Sequence, residues 1–105
     1  MANPWTGEVA LTVDGERRVL KLTLGALAEL EARLEADSLM DLVGRFETGR
    51  FSARDVIAVL VAGLRGGGHE GVDLAGAEIA GGPMEAARVA GQLIVRAFTL
   101  PEAGA

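Results

Sequence analysis

GEVALTVDGERRVLKLTLGALAELEARLEA, residues 7–36, is the stretch that decides the fold. Within it Val9, Leu11 and Val13 alternate with Glu8, Ala10 and Thr12, the period of a strand with one apolar face. Asp14-Gly15 follows at once. An Asp-Gly pair between apolar runs is the strongest short-range hairpin signal, because both residues accept the positive φ of a type I′ turn. A two-residue turn pairs Val9 with Leu20, whereas a three-residue bulged turn pairs Leu11 with Val19, and the sequence leaves both registers open. Two strands are only marginally stable in water. The ribbon therefore needs helices beneath it, a second copy, or a partner strand along an open edge.

Downstream, Thr23 is placed to cap a helix whose Leu24, Leu27, Leu30 and Leu34 draw one apolar stripe, with Glu29 and Arg33 in the favourable i,i+4 order on the wet side. Ser38-Leu39-Met40-Asp41 has the spacing of a capping box, and Leu39, Leu42, Val43 and Phe46 form the next stripe before Gly49 stops it. Ser52-Ala53-Arg54-Asp55 repeats the start signal. The Val56, Ile57, Val59, Leu60, Val61 and Leu64 that follow leave almost no polar face and predict a central helix. Branched residues in that run also permit a strand, but the capping box and Ala58, Ala62 and Leu64 favour helix. Gly66-Gly67-Gly68 reads as the helix stop and as the most mobile interior point. Val72 to Ile79 can form a short helix, weakened by Gly76 and Gly81-Gly82. Pro83 fits the first turn of a last helix, with Met84, Ala87, Ile94 and Phe98 along one side and Ala86, Ala90 and Gly91 as a small-residue surface. The expected class is α+β, mostly α: a β-hairpin over 7–22, then a bundle of four to five helices over 23–100, in one domain spanning 1–105.

A length of 105 residues suits one core. Half of the residues are apolar but only 4 % are aromatic, so Leu, Val, Ile and Ala must build that core. The absence of cysteine excludes disulfides, thiolate catalysis and sulfur-bound metals, and is compatible with a reducing cytoplasm. A net charge of −5 opposes duplex binding, which needs a concentrated basic face. Arg17, Arg18 and Lys21 form a local basic patch that Glu16 dilutes, and they read as a solvated strand face. MANPWTGE has neither the basic nor the apolar region of a signal peptide. The longest apolar run, Val56 to Leu64, falls short of the about 20 residues a membrane-spanning helix takes. The expected setting is the cytoplasm, without membrane or nucleic acid as partner.

Residues able to do chemistry are sparse and poorly placed. His69 lies in the glycine loop, where a general base would be mobile, and one His with one adjacent Glu cannot supply the ligands zinc takes. Gly66-Gly67-Gly68 is followed by His69-Glu70-Gly71 rather than by the Lys-Ser/Thr of a P-loop, and it follows a helix, not the strand of a dinucleotide site. Ser38 and Ser52 read as caps with no histidine to activate them, and Glu29, Glu31 and Glu35 as a solvated face. No catalytic, metal or cofactor role is expected, which leaves surfaces to carry function. The candidate partner-binding residues are Trp5, a large ring in a polar tail that can anchor a partner or fold back over the hairpin; Val9 and Leu11, on a hairpin whose edge could accept a partner strand; and Phe51, between two helices, whose other reading is a staple of that turn.

Gly7-Glu8-Val9, Asp14-Gly15 and the run Leu22-Thr23-Leu24-Gly25-Ala26-Leu27-Ala28-Glu29-Leu30-Glu31 resemble the small proteins encoded in the tail-gene region of gene transfer agents and related siphophage-like prophages. Ser52 to Gly68, with Leu64-Arg65-Gly66-Gly67-Gly68-His69, and the Ala-rich helix ending at Ala97-Phe98 extend the likeness over most of the chain. The resemblance implies a phage-type tail assembly chaperone, a mostly helical protein that associates with the tape-measure protein while tail tube subunits polymerise. Some descriptions of the family instead make it a tail tube component. It supplies no catalytic residue to carry over. The expected partners are the tape-measure protein, tail tube subunits and a further copy of the chain. A tube or connector subunit is the structural alternative, and a small regulatory or adaptor domain a third.

Overall fold

A computed structural model describes residues 7–34, 38–69, 71–72, 74 and 76–98. The hairpin comes first, as β1 (Val9–Val13) and β2 (Glu16–Leu20). Asp14 at φ 50° and Gly15 at φ 80° make the two-residue turn, and Val9 pairs with Leu20 and Val13 with Glu16. That register settles the choice: it puts Leu20, fully buried, on the same face as Val9, Leu11 and Val13, whereas the bulged alternative would have placed Lys21 opposite Val9 and turned Leu20 to the other face.

Four helices follow among the described residues: α1 (Leu24–Arg33), α2 (Leu39–Thr48), α3 (Ala53–Gly66) and α4 (Gly82–Phe98). Each of the first three starts where its cap was expected. Thr23 Oγ1 accepts from the Ala26 N–H, and Ser38 and Ser52 each form a full capping box with Asp41 and Asp55. Gly49, at φ 76°, ends α2 in the left-handed conformation. α3 is the central element, packed on α1, α4 and β2, and it buries Val56, Val59, Leu60, Ala62, Gly63 and Leu64.

Three helix expectations need correction. Leu24 is 84 % exposed, so the α1 seam keeps Leu27, Leu30 and Leu34 but takes Ala26 in place of Leu24. Met84 is 85 % exposed, and the α4 seam is Ala86, Val89, Ala90, Leu93 and Ile94, a cleaner i, i+3, i+4, i+7, i+8 stripe than the one predicted. None of the described residues between Val72 and Ile79 is helical. That segment returns to the outer edge of β1, where Ile79 bridges Val13, the Asp14 N–H donates to the Glu78 carbonyl at 2.8 Å and the Ala80 N–H donates to the Thr12 carbonyl at 3.1 Å. Asp14 Oδ1 also accepts from the Glu78 N–H at 2.8 Å. An unpaired strand edge and a glycine-weakened segment satisfy each other here, which a lone short helix could not do.

The other edge of the ribbon is closed by α3. The Lys21 N–H donates to the Gly63 carbonyl at 3.0 Å. A Cβ on Gly66 would sit 1.9 Å from the Lys21 carbonyl oxygen, and one on Gly67 would sit 2.1 Å from that of Val19. Gly66 and Gly67 therefore do more than stop a helix: with Gly63 they let its last turn lie directly on the strand backbone. His69 is held in the same place by its backbone N–H on the Leu64 carbonyl at 2.7 Å. Arg18, expected on a solvated face, lies opposite Leu11 on the inner side, where it pairs with Glu16 at 3.1 Å and its Nε is buried with no hydrogen-bond partner among the described residues.

An elbow joins α2 to α3. Arg45 donates from Nε and Nη2 to the two oxygens of Asp55, at 3.0 and 3.1 Å, while Phe46 and Phe51 stack with ring centroids 4.7 Å apart. Burial pushes the Asp55 carboxyl up, but the Ser52 backbone N–H, the Arg45 guanidinium and the Ser52 hydroxyl outweigh it and hold its pKa below the ordinary 3.8. Stability from a depressed carboxylate pKa is complete above the ordinary value and fades as pH falls through the folded one. Asp55→Asn is therefore expected to cost about 2 kcal/mol at neutral pH, from a weakened cap and a lost charge pair. Urea unfolding should show that difference shrinking toward about pH 3. An equal loss at both pH values would contradict this role for the carboxylate.

Candidate partner-binding surfaces

The expected binding residues fall in three different settings. Trp5 lies outside the described residues. Val9 and Leu11 are 3 % and 2 % exposed, so their side chains belong to the core and offer nothing to a partner. Their strand edge is also largely taken. Thr12 and Asp14 face outward onto residues 78–80, and the guanidinium of Arg96 donates to the Glu8 carbonyl, which leaves Ala10 as the outward-facing position between them. A strand added along β1 would have to displace both contacts. Phe51 is half-buried and stacked on Phe46, where it staples the α2–α3 elbow.

The surface that does stand open lies between α2 and α4. Val43 and Phe46 of α2 face Gly91, Ile94, Val95 and Phe98 of α4 across a groove of ≈ 650 Å³. Its exposed apolar rim is Val95, 61 % exposed, and Phe98, 39 % exposed, one helical turn apart. The local sequence explains the opening. Leu93 and Ile94 turn inward as part of the α4 seam, which rotates Val95 outward, while Phe98, the last residue of α4, stands part-exposed one turn beyond Ile94. Gly91 has no side chain to fill the floor, and a Cβ there would still be 4.0 Å from the Phe46 ring. Glu47, Arg88 and Arg96 edge the groove with charge. An apolar trough with a charged rim fits a partner's amphipathic helix, whose anchors recur at i, i+3 or i+4 and i+7.

A second recess of ≈ 640 Å³ opens on the other side of α2, where α1 ends and α3 begins, and Arg33, Arg45, Arg50 and Arg54 line it. Sequence reasoning placed Arg33 on the wet side of α1 with Glu29. In the fold Glu29 instead pairs with Arg65 at 2.9 Å, and Arg33 turns to the recess.

Among the described residues no group of three or more His, Asp or Glu side chains converges as a metal site would. No described helix is long and apolar enough to cross a membrane. A family model described as "Phage tail tube protein, GTA-gp10" matches residues 6–99. Neither the curated proteins nor the solved structures give a match.

Proposed function

Because the chain belongs to the phage tail tube protein family of gene transfer agents, we propose that it serves tail construction as a non-enzymatic assembly chaperone, its α2–α4 groove holding an apolar helix face of the tape-measure protein. The observation that carries this reading is the groove itself: two exposed apolar anchors one turn apart over a glycine-opened floor. Burying such a face shields a long apolar partner from aggregation until tube subunits enclose it. No bond is made or broken, and complementary surface is all the activity requires.

A resident tube or connector subunit is the second reading, and the family's description favours it. A tube wall is built from strands that close a ring of sheet. Here the sheet has two strands of five residues, one edge lying on α3 and the other largely taken by residues 78–80 and Arg96. That supports the chaperone.

Coexpression with the tape-measure protein tests the groove. The unaltered chain is expected to keep that protein soluble and to copurify with it. Val95→Asp with Phe98→Asp should reduce the copurified amount about tenfold or more, because each carboxylate would be desolvated against apolar surface. Both positions are exposed, so the variant's own thermal unfolding should be nearly unchanged. Undiminished copurification by the folded variant would sink the groove as the binding site. A tape-measure protein left insoluble and unbound by the unaltered chain would point to an adaptor role elsewhere.

A further inference from the structure

We propose that the recess lined by Arg33, Arg50 and Arg54 is a second binding site, and that its ligand is a short acidic segment of a partner protein. Four of the chain's ten cationic side chains line this one recess, although the whole chain carries a net charge of −5. Among the described residues its one lining carboxylate, Asp55, is already engaged by Nε and Nη2 of Arg45 and by the Ser52 N–H. Arg33, Arg50 and Arg54 are exposed, and no described carboxylate pairs with any of them. Helix geometry sharpens the imbalance. Arg54 is the second residue of α3, at the positive end of the helix dipole, where a cation is disfavoured and an anion favoured.

Among the described residues, then, three guanidiniums around a helix start carry charge that no carboxylate compensates, which favours a negative group. Carboxylates on a peptide fit it better than the alternatives. Leu34, Ala53 and Ala58 supply apolar lining that suits the methylenes of Glu side chains, a contact that a small hydrated anion does not make. A long nucleic acid would have to lie across the remaining surface, which is acidic in sum and would repel it. The inference stands on this recess alone and does not depend on what the α2–α4 groove holds.

The test is a titration of the full-length chain with an acetylated tetra-glutamate peptide, following the arginine Nε–H signals by NMR. Signals of Arg33, Arg50 and Arg54 are expected to shift together, to lose the response as salt is raised, and to stay still with a tetra-lysine peptide. Arg50→Glu with Arg54→Glu should weaken binding about tenfold or more, since two charge-assisted contacts become repulsive. If that variant unfolds, Arg50→Gln with Arg54→Gln gives the same reading with a smaller loss. No shift in the three signals would overturn the proposal. So would an equal response to inorganic phosphate, which would make it a small-anion site, or to oligothymidylate, which would make it a nucleic-acid site. The same shifts on concentrating the chain by itself would assign the recess to a second copy and likewise refute the proposal.

Discussion

Gly66→Ala is expected to lower the stability of this protein by about 3 kcal/mol, near the top of what overpacking a tight contact costs, with a fall in Tm on the order of 15 °C. The added Cβ would lie 1.9 Å from the Lys21 carbonyl oxygen and 3.1 Å from its carbon. Both are backbone atoms and cannot rotate aside. To admit the methyl group α3 must lift off β2, which strains the Lys21 N–H bond to Gly63 and opens the core around Leu20. Alanine's better helix propensity recovers at most about 1 kcal/mol of this. Gly44→Ala is the control: it lies in α2 with nothing within 4 Å of its would-be Cβ, so the same chemical change should stabilise by about 0.5–1 kcal/mol. Opposite signs for the two substitutions in denaturant unfolding are the predicted outcome. A neutral Gly66→Ala would mean that α3 does not rest on the strand backbone.

Leu93→Ala should cost a comparable amount, about 3–4 kcal/mol, from lost burial and the cavity left behind. Leu93 is fully buried on α4, and its Cδ1 would be only 2.8 Å from a Cβ on Gly63 of α3. The closeness makes a sharper prediction possible. Gly63→Ala alone should destabilise by about 1–2 kcal/mol through overpacking, because Leu20 Cβ and Cδ2, each at 3.2 Å, crowd the same space. In the double variant the new methyl enters the volume that Leu93 vacated. The combined loss should then fall short of the sum of the single losses by about 1 kcal/mol. Strict additivity would show that α3 and α4 do not meet at this pair.

Much of this architecture could be read from local chemistry. Asp14-Gly15, the Thr23 cap and the two Ser-x-x-Asp boxes act within four residues of themselves, so their effects need no knowledge of the fold, and the hairpin and the first three helix starts came out as expected. What escaped was long-range. The return of residues 78–80 to β1 is a pairing across 64 residues, and nothing in Glu78-Ile79-Ala80 announces it. The role of Gly63, Gly66 and Gly67 was within reach, since spacings of three and four put them on one helix face, the signature of close approach rather than of a simple stop. Trp5, Val9 and Leu11 drew attention as large or edge-placed apolar residues. Burial claims two of them. The open groove depends on how α2 and α4 rotate about their seams, and the arginine recess on Arg33 meeting Arg50 and Arg54 across three helix ends, neither of which a linear reading can supply.

Counting copies in finished particles separates the two readings of the tail role most directly. Quantitative mass spectrometry of purified phage-like particles should find this chain absent or at trace level, while coexpressed assembly intermediates hold it bound to the tape-measure protein. Stoichiometric copies alongside the tube subunits would contradict that and establish it as a permanent part of the tail.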